Sequence, residues 1–329
     1  MNIYPWHLPQ WTQICQSIAS GRLAHALLLL GTEGLGKKHF ANSLAHTLLC
    51  NKPSEQGQPC NECHSCHMVI AKTHPDLMLI EPEEPGKLIG VDVIRDVVKF
   101  VNETTMQGGY RVIIIHPATA MNVNAANALL KTLEEPTAKT LIMLVSDQSS
   151  RLPATIISRC QKIAFSKPTL DVAIDWLRSQ VKEGEHDLAL LLKLTDGAPL
   201  RAHQWIETNK LAFRSDLYQA LQSLHLGQAD PLVIAVKWQD THLVSMIDLL
   251  HSFVSDILWF QLTQDPSSLV NADYQDHIIQ TSQKAHKDKL LGFIDYLQQG
   301  RATLLAGIHL NKQLLLEDIL IRWTHHVSC

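Results

Sequence analysis

The stretch LLLLGTEGLGKKHFANSL, Leu27 to Leu44, joins an apolar run, a glycine-rich turn and the opening of a helical pattern. Four leucines in a row suit a strand covered on both faces. Phe40, Leu44 and Leu48 then recur at i, i+4 and i+8, the stripe of a helix packed on one side. In the turn between them, Gly31, Gly36 and Lys37 keep the G-x-x-x-x-G-K-[ST] spacing of a phosphate cradle, while Lys38 stands where the pattern requires a hydroxyl. Backbone amides and a lysine can hold phosphate. The hydroxyl serves to ligate Mg²⁺, and an ammonium cannot replace it.

Outward from this stretch, apolar runs alternate with helical segments as far as Ser166, the signature of an α/β layer with a parallel sheet. ALLLLG, LMLIEP, RVIIIHP, TLIMLVSD and QKIAF are the expected strands. NAANALLKTLEEP sets Leu129, Leu130 and Leu133 on one side of a helix that stops before Pro136, because the residue preceding a proline resists the α conformation. The strand RVIII runs into His116-Pro117, where a nucleotide-hydrolysing site needs acidic groups for Mg²⁺ and water. Histidine is a poor ligand for that ion and proline offers no base. Two parts of the hydrolytic machinery are thus missing. ATP held without turnover through Gly31, Gly36 and Lys37 remains one expectation, and a relict loop with no ligand the other.

After Lys167-Pro168 the strand patterns end. A short helical unit is expected over 167–208, broken at Gly197-Ala198-Pro199, and only helical periodicity follows over 209–329. Near the end, LNKQLLLEDILIRW carries Leu310, Leu314, Ile321 and the Leu315/Ile319 pair around much of one helix, which predicts burial in a bundle or against another subunit.

The chain's 329 residues suffice for two or three domains, each with its own core. Lys and Arg number 28 against 32 Asp and Glu, a net charge of −4, which lacks the basic surplus of a chain that grips DNA alone. Hydrophobic residues reach 46% and charged residues only 18%, so part of the surface is expected to lie under partners. The start, MNIYPWHLPQW, has no leader pattern, and the longest uninterrupted apolar runs are far shorter than a membrane span, which predicts a cytoplasmic location.

Four of the seven cysteines, Cys50, Cys60, Cys63 and Cys66, form C-x9-C-x2-C-x2-C. Two-residue gaps let thiolates converge on one tetrahedral ion, so a structural zinc module is expected over 50–66. His64 and His67 are alternative ligands, better read as solvated loop residues. Cys15, Cys160 and Cys329 look like ordinary thiols.

GRLAHALLLLGTEGLGK, the cysteine run followed by THPD, NAANALLKTLEEP and ATIISRC occur in the order that resembles the bacterial clamp-loader subunits of the AAA+ superfamily. The match is specific over the first 166 residues and general over the rest. It implies an α/β AAA+ core (1–166) with the zinc module inserted, a helical lid (167–208) and an all-α collar (209–329) for oligomerisation. His116-Pro117 replaces the Asp-Glu of active members and implies a non-hydrolysing member of the DNA polymerase III loader. Ser158-Arg159-Cys160 matches the box whose arginine reaches the ATP of an adjacent subunit, and the planar fork of Arg159 suits that task. Arg201 lies near the place of a second nucleotide-sensing arginine. The implied partners are gamma/tau and delta subunits, with the sliding clamp and primed DNA met through the assembly. A gamma/tau-like ATPase is the alternative from the enzyme class. A zinc-dependent nucleic-acid module is a third possibility, but NECHSCHMV lacks the basic and aromatic residues it would need.

Overall fold

The computed structural model describes residues 3–54, 56–84, 86–106, 109–137, 139–182, 186–238, 243–305 and 311–327. Leu310 and Cys329 lie outside them. The chain divides into two compact units, one of Met1–Lys182 with Gly197–Arg201, the other of Glu183–Asp196 with Ala202–Cys329.

In the first unit, α1 (Leu8–Ala19) precedes β1 (Ala26–Leu30), which feeds α2 (Lys37–Leu49). There follow α3 (His64–Ile70), β2 (Leu77–Ile80), α4 (Val91–Asn102), β3 (Arg111–Ile115), α5 (Val123–Glu134) and β4 (Thr140–Ser146). The short α6 (Ala154–Ile157), β5 (Gln161–Ala164) and α7 (Leu170–Gln180) complete it. The five strands are those expected from the sequence. They form one parallel sheet in the order β2-β3-β4-β1-β5.

Alternation along the strands builds two apolar layers. Leu27, Leu29, Val112, Ile114, Leu141 and Met143 meet Phe40, Ala41 and Leu44 of α2 and Trp11 and Ile14 of α1. Leu28, Ile113, Ile115, Ile142 and Leu144 meet Ile94 and Val97 of α4 and Leu129 and Leu133 of α5. The sheet is therefore covered on both faces, which is why its strands read as unbroken apolar runs. β1 lies inside the sheet, its connection leading to β2 at one edge while that of β4 leads to β5 at the other. Such a reversal opens a crevice at the carboxyl ends of the strands, and the glycine turn lies there.

The segment 167–208 gives α7 to the first unit and α8 (Leu188–Leu194) to the second, while α9 (Pro199–Glu207) begins in one and continues in the other. The second unit continues with α10 (Lys210–His225), α11 (Pro231–Lys237), α12 (Leu243–Thr263), α13 (Gln275–Lys284), α14 (Lys287–Leu305) and α15 (Lys312–Val327). It has no strand among the described residues. By length and composition, α12 could cross a membrane. Its apolar pattern is not one uninterrupted run, because Asp248, His251 and Asp256 fall within it. It is nonetheless a core helix that packs on α13 and α14. Its buried Asp256 accepts bonds from the Val270 amide (3.0 Å) and the Asn271 amide (2.6 Å). In α15 the buried stripe is Leu316, Ile319, Leu320 and Trp323, whereas Leu314 is 62% exposed. An apolar pattern that surrounds a helix does not choose its inner face: of the expected residues Ile319 is buried and Leu314 is not.

Candidate functional site

The lysine of the phosphate-cradle turn is engaged by the chain's own groups. Gly36 adopts φ +90°, ψ +22°, a left-handed conformation in which a side chain would be strained. A Cβ there would also lie 2.7 Å from the Tyr4 ring and 3.0 Å from Leu200. Lys37, the first residue of α2, is 4% exposed. Its ammonium donates to the Thr32 carbonyl (2.8 Å) and to Asp147 (2.5 Å), just beyond β4. A carboxylate thus meets the lysine where a phosphate cradle offers it to a phosphoryl group. Lys38 pairs instead with Glu81 beyond β2 at 2.5 Å. Burial, with Lys38 nearby, pushes the His116 imidazole below its ordinary pKa, so it stays neutral at pH 7. Glu33, Gly34, Lys37, His116 and Asp147 are among the residues lining a cavity of about 300 Å³.

Aromatic rings pack over the turn. Tyr4 stacks on Trp6, with ring centres 4.9 Å apart, and meets Trp176 edge-on at 5.6 Å. The Trp6 indole donates to the Leu35 carbonyl inside the turn (2.8 Å), and Leu35 is fully buried. From the other side the Leu200 amide donates to the Gly34 carbonyl (3.1 Å). Arg201 backs directly onto Gly34, where a Cβ would come within 2.6 Å of its own. His7, enclosed by Tyr4, Trp6, Phe40 and Phe165, is pushed down to about 4 by burial, with His39 and Lys37 acting in the same direction.

The four clustered cysteines converge. Their sulfurs all lie within 4.8 Å of one another, with Cys50 to Cys60 at 3.5 Å and Cys60 to Cys66 at 3.9 Å. Four thiolates about 2.3 Å from one zinc ion stand about 3.8 Å apart, so this donor set fits a tetrahedral ion. The Cys60 and Lys52 amides donate to Cys50 Sγ at 3.3 and 3.4 Å, and the Cys66 amide to Cys63 Sγ at 3.4 Å. Such N–H groups stabilise thiolates. Burial, which raises the Cys63 pKa, is outweighed by the Asn51 and Cys66 amides and by neighbouring thiols, which hold it down to about 6. Burial pushes the Cys66 thiol up.

The cysteine module is braced to the sheet. The Asp76 amide donates to His74 Nδ1 (3.1 Å), leaving Nε2 to donate to the Ser65 hydroxyl (2.9 Å), which itself donates to the Leu49 carbonyl at the end of α2. Asp76 lies 3.5 Å from the buried Arg111 guanidinium, which also donates to the Thr104 carbonyl (2.7 Å). The Thr47 hydroxyl on α2 donates to the Gly57 carbonyl (2.6 Å). An appended loop would carry no such chain. The helical end of the module also runs past the expected 66, because Cys66 lies within α3.

Arg159 occupies the turn between α6 and β5. Because β5 runs parallel to β1 with Gln161 beside Leu27, Arg159 lies at the opposite end of the sheet from its own glycine turn. A strand's length of about 13 Å, at about 3.3 Å per residue, separates the two. Arg159 Nε donates to Glu134 Oε1 (2.7 Å), Nη2 donates to the same oxygen, and Nη1 donates to the Thr155 carbonyl (2.9 Å).

Sequence inspection missed Asp147, Tyr4 and Glu134 as parts of these sites. Asp147 ends the quoted strand TLIMLVSD, and Glu134 stands in LEEP, so both were visible. What was not visible is that Asp147 meets a residue 110 positions earlier in the chain.

Residues 7–169 match the family model described as "DNA polymerase III, delta subunit", and residues 208–325 match "DNA polymerase III, delta subunit, C terminal". The chain is 39% identical over 325 residues to the DNA polymerase III subunit delta' of Pseudomonas aeruginosa, covering 98% of this chain and 97% of that one. It is 30% identical over 329 residues to the Escherichia coli protein of the same name, covering 100% and 97%. The crystal structure of a DNA polymerase III gamma subunit-related protein from Thermotoga maritima aligns over 96% of this chain and 99% of its own, with a TM-score of 0.47 at 18% identity.

Proposed function

The chain belongs to the delta-prime family of DNA polymerase III clamp-loader subunits, which serve DNA replication, and from that premise we propose that it is a non-hydrolysing member of the loader. Its AAA+ core (1–166), lid (167–208) and collar (209–329) sit beside gamma/tau and delta partners in the cytoplasm. Sliding clamp and primed DNA are met through the assembled complex. It braces the ring and lends Arg159 to the ATP held by a neighbouring subunit. Zinc at Cys50, Cys60, Cys63 and Cys66 is structural: with all four positions taken by sulfur, no position is left for substrate or water.

The observation that carries this proposal is the pairing of the cradle lysine within the chain. Lys37 is neutralised by Asp147 at 2.5 Å, and the Tyr4 ring roofs Gly36. With Lys38 and His116-Pro117 replacing the Mg²⁺ and water ligands, nothing here supports turnover, which also disfavours a gamma/tau-like ATPase. Arg159, at the far end of the sheet, cannot reach its own loop. An arginine supplied in trans contributes on the order of 10³-fold or more to phosphoryl transfer.

The test has two arms. The isolated chain should show no ATP hydrolysis above background. The reconstituted loader should lose clamp- and DNA-stimulated hydrolysis when it carries Arg159→Ala. A rate near ~1 s⁻¹ from the isolated chain, abolished by Lys37→Ala, would overturn the first half of the proposal; an Arg159→Ala loader of normal rate would overturn the second.

A further inference from the structure

Arg159 does not hang free at the sheet edge. Glu134 Oε1 receives Nε (2.7 Å) and Nη2, the side edge of the guanidinium fork. The Thr155 carbonyl takes Nη1 at 2.9 Å, and the Ser158 hydroxyl lies at a longer 3.4 Å. Nη1 has two acceptors within reach, while Nη2, with two N–H groups, has Glu134 Oε1 alone among the described residues, which leaves it an N–H for a phosphate oxygen. The Arg159 side chain is 32% exposed and that of Glu134 is 48% exposed, so the pair is open to an incoming subunit.

Glu134 is also the last residue of α5. A carboxylate at a helix C-terminus stands against the negative end of the macrodipole. Helix stability therefore gives no reason for an acid there, while the grip on Arg159 does.

We propose that Glu134 is a positioning residue for Arg159: it holds the fork by its side edge, in one rotamer, with the remaining Nη2 N–H presented before the neighbouring nucleotide arrives. The proposal rests on the assignment of Arg159 as a trans arginine. An unrestrained arginine must give up its rotamer freedom on each engagement, and a fork already fixed gives up little. Glu134 touches no nucleotide, so it should act on the catalytic step and leave ATP binding unchanged.

The experiment is a double-mutant cycle in the reconstituted loader, comprising the wild-type chain, Glu134→Ala, Arg159→Ala and the double variant, with Glu134→Gln as the conservative change. The readouts are kcat and KM for ATP with clamp and primed DNA. Glu134→Ala should lower kcat by about five- to tenfold, from the lost preorganisation of one arginine, with KM unchanged. Glu134→Gln keeps an acceptor and should recover most of that loss. In the Arg159→Ala background, Glu134→Ala should cost nothing further. Three results would overturn the proposal while leaving Arg159 in its role: a Glu134→Ala loader of normal rate, one of raised rate, or an equal loss in the two backgrounds. A normal rate for Arg159→Ala would remove the assignment of Arg159 and this proposal with it.

Discussion

The ammonium of Lys37 and the carboxylate of Asp147 meet at 2.5 Å at the mouth of the crevice, one at the start of α2 and the other just past β4. The Lys37 side chain is 3% exposed and that of Asp147 31%, so the cation is sealed while its partner keeps some water. Removing the partner leaves a buried charge unpaired, the costly half of such an arrangement.

Asp147→Asn should therefore lower stability by about 1–3 kcal/mol, less than for a fully buried pair because Asp147 is partly hydrated. Urea unfolding with circular dichroism measures it. Lys37→Met combined with Asp147→Asn should recover most of the loss, since an apolar side chain of similar length fills the sealed position without a charge. A single variant as stable as wild type would mean that the ion pair is incidental.

One zinc ion per chain should survive dialysis against a mild chelator, as metal analysis would register. Replacing Cys63 with Ser should release it. Because Ser65 bonds the Leu49 carbonyl and Thr47 bonds the Gly57 carbonyl, the loss should reach the C-terminal turns of α2 and the start of β2. Hydrogen exchange of those amides should accelerate in the Cys63→Ser chain. Protection unchanged outside 50–70 would mean that the brace transmits nothing.

Arg159→Ala should leave the isolated chain's folding almost unchanged, since an exposed ion pair contributes about 0–1 kcal/mol. In the assembled loader, clamp loading should fall further than bulk ATP turnover if the sites fire in sequence. Arg159→Lys should rescue poorly because it keeps the charge and loses the fork. A fully active Arg159→Lys loader would show that charge alone suffices.

Acid should weaken the first unit between about pH 6.5 and 4. Burial holds His7 at about 4 in the folded chain, below its ordinary 6.5, so the unfolded state binds more protons across that window. The stabilising contribution is whole above 6.5 and is lost as the pH falls toward 4. Its size is about 3 kcal/mol, at about 1.36 kcal/mol for each pH unit between the two values. His39, His46, His74 and His116 are lowered by burial as well and act in the same direction. His7→Phe, set among Tyr4, Trp6, Phe40 and Phe165, should flatten part of the profile. Equal slopes for wild type and variant, from urea midpoints at several pH values, would mean that His7 carries none of the acid sensitivity.

The sheet was legible in the sequence because burial on both faces leaves each strand as an uninterrupted apolar run, and β1 to β5 begin and end within a residue or two of those runs. The convergence of Cys50, Cys60, Cys63 and Cys66 was legible from spacing, since short gaps leave few ways to arrange the thiols. Tyr4 over Gly36 was not legible, because stacking across the fold leaves no local pattern. Glu134 was hidden for a similar reason: 25 residues separate it from Arg159, and an acid near a helix end is common on solvated surfaces. In α15, Leu314 and Leu316 were equally apolar, and only tertiary packing decided which one turned inward.

A nucleotide-binding protein ordinarily draws part of its stability from its ligand, about 2.7 kcal/mol when the ligand stands at 100 times its dissociation constant. Here Asp147 supplies the counter-charge of the cradle lysine from within the chain, at a fixed effective concentration. On the proposed reading, the melting temperature of the isolated chain should not move when ATP is added, whereas that of a nucleotide-binding neighbour should rise with it.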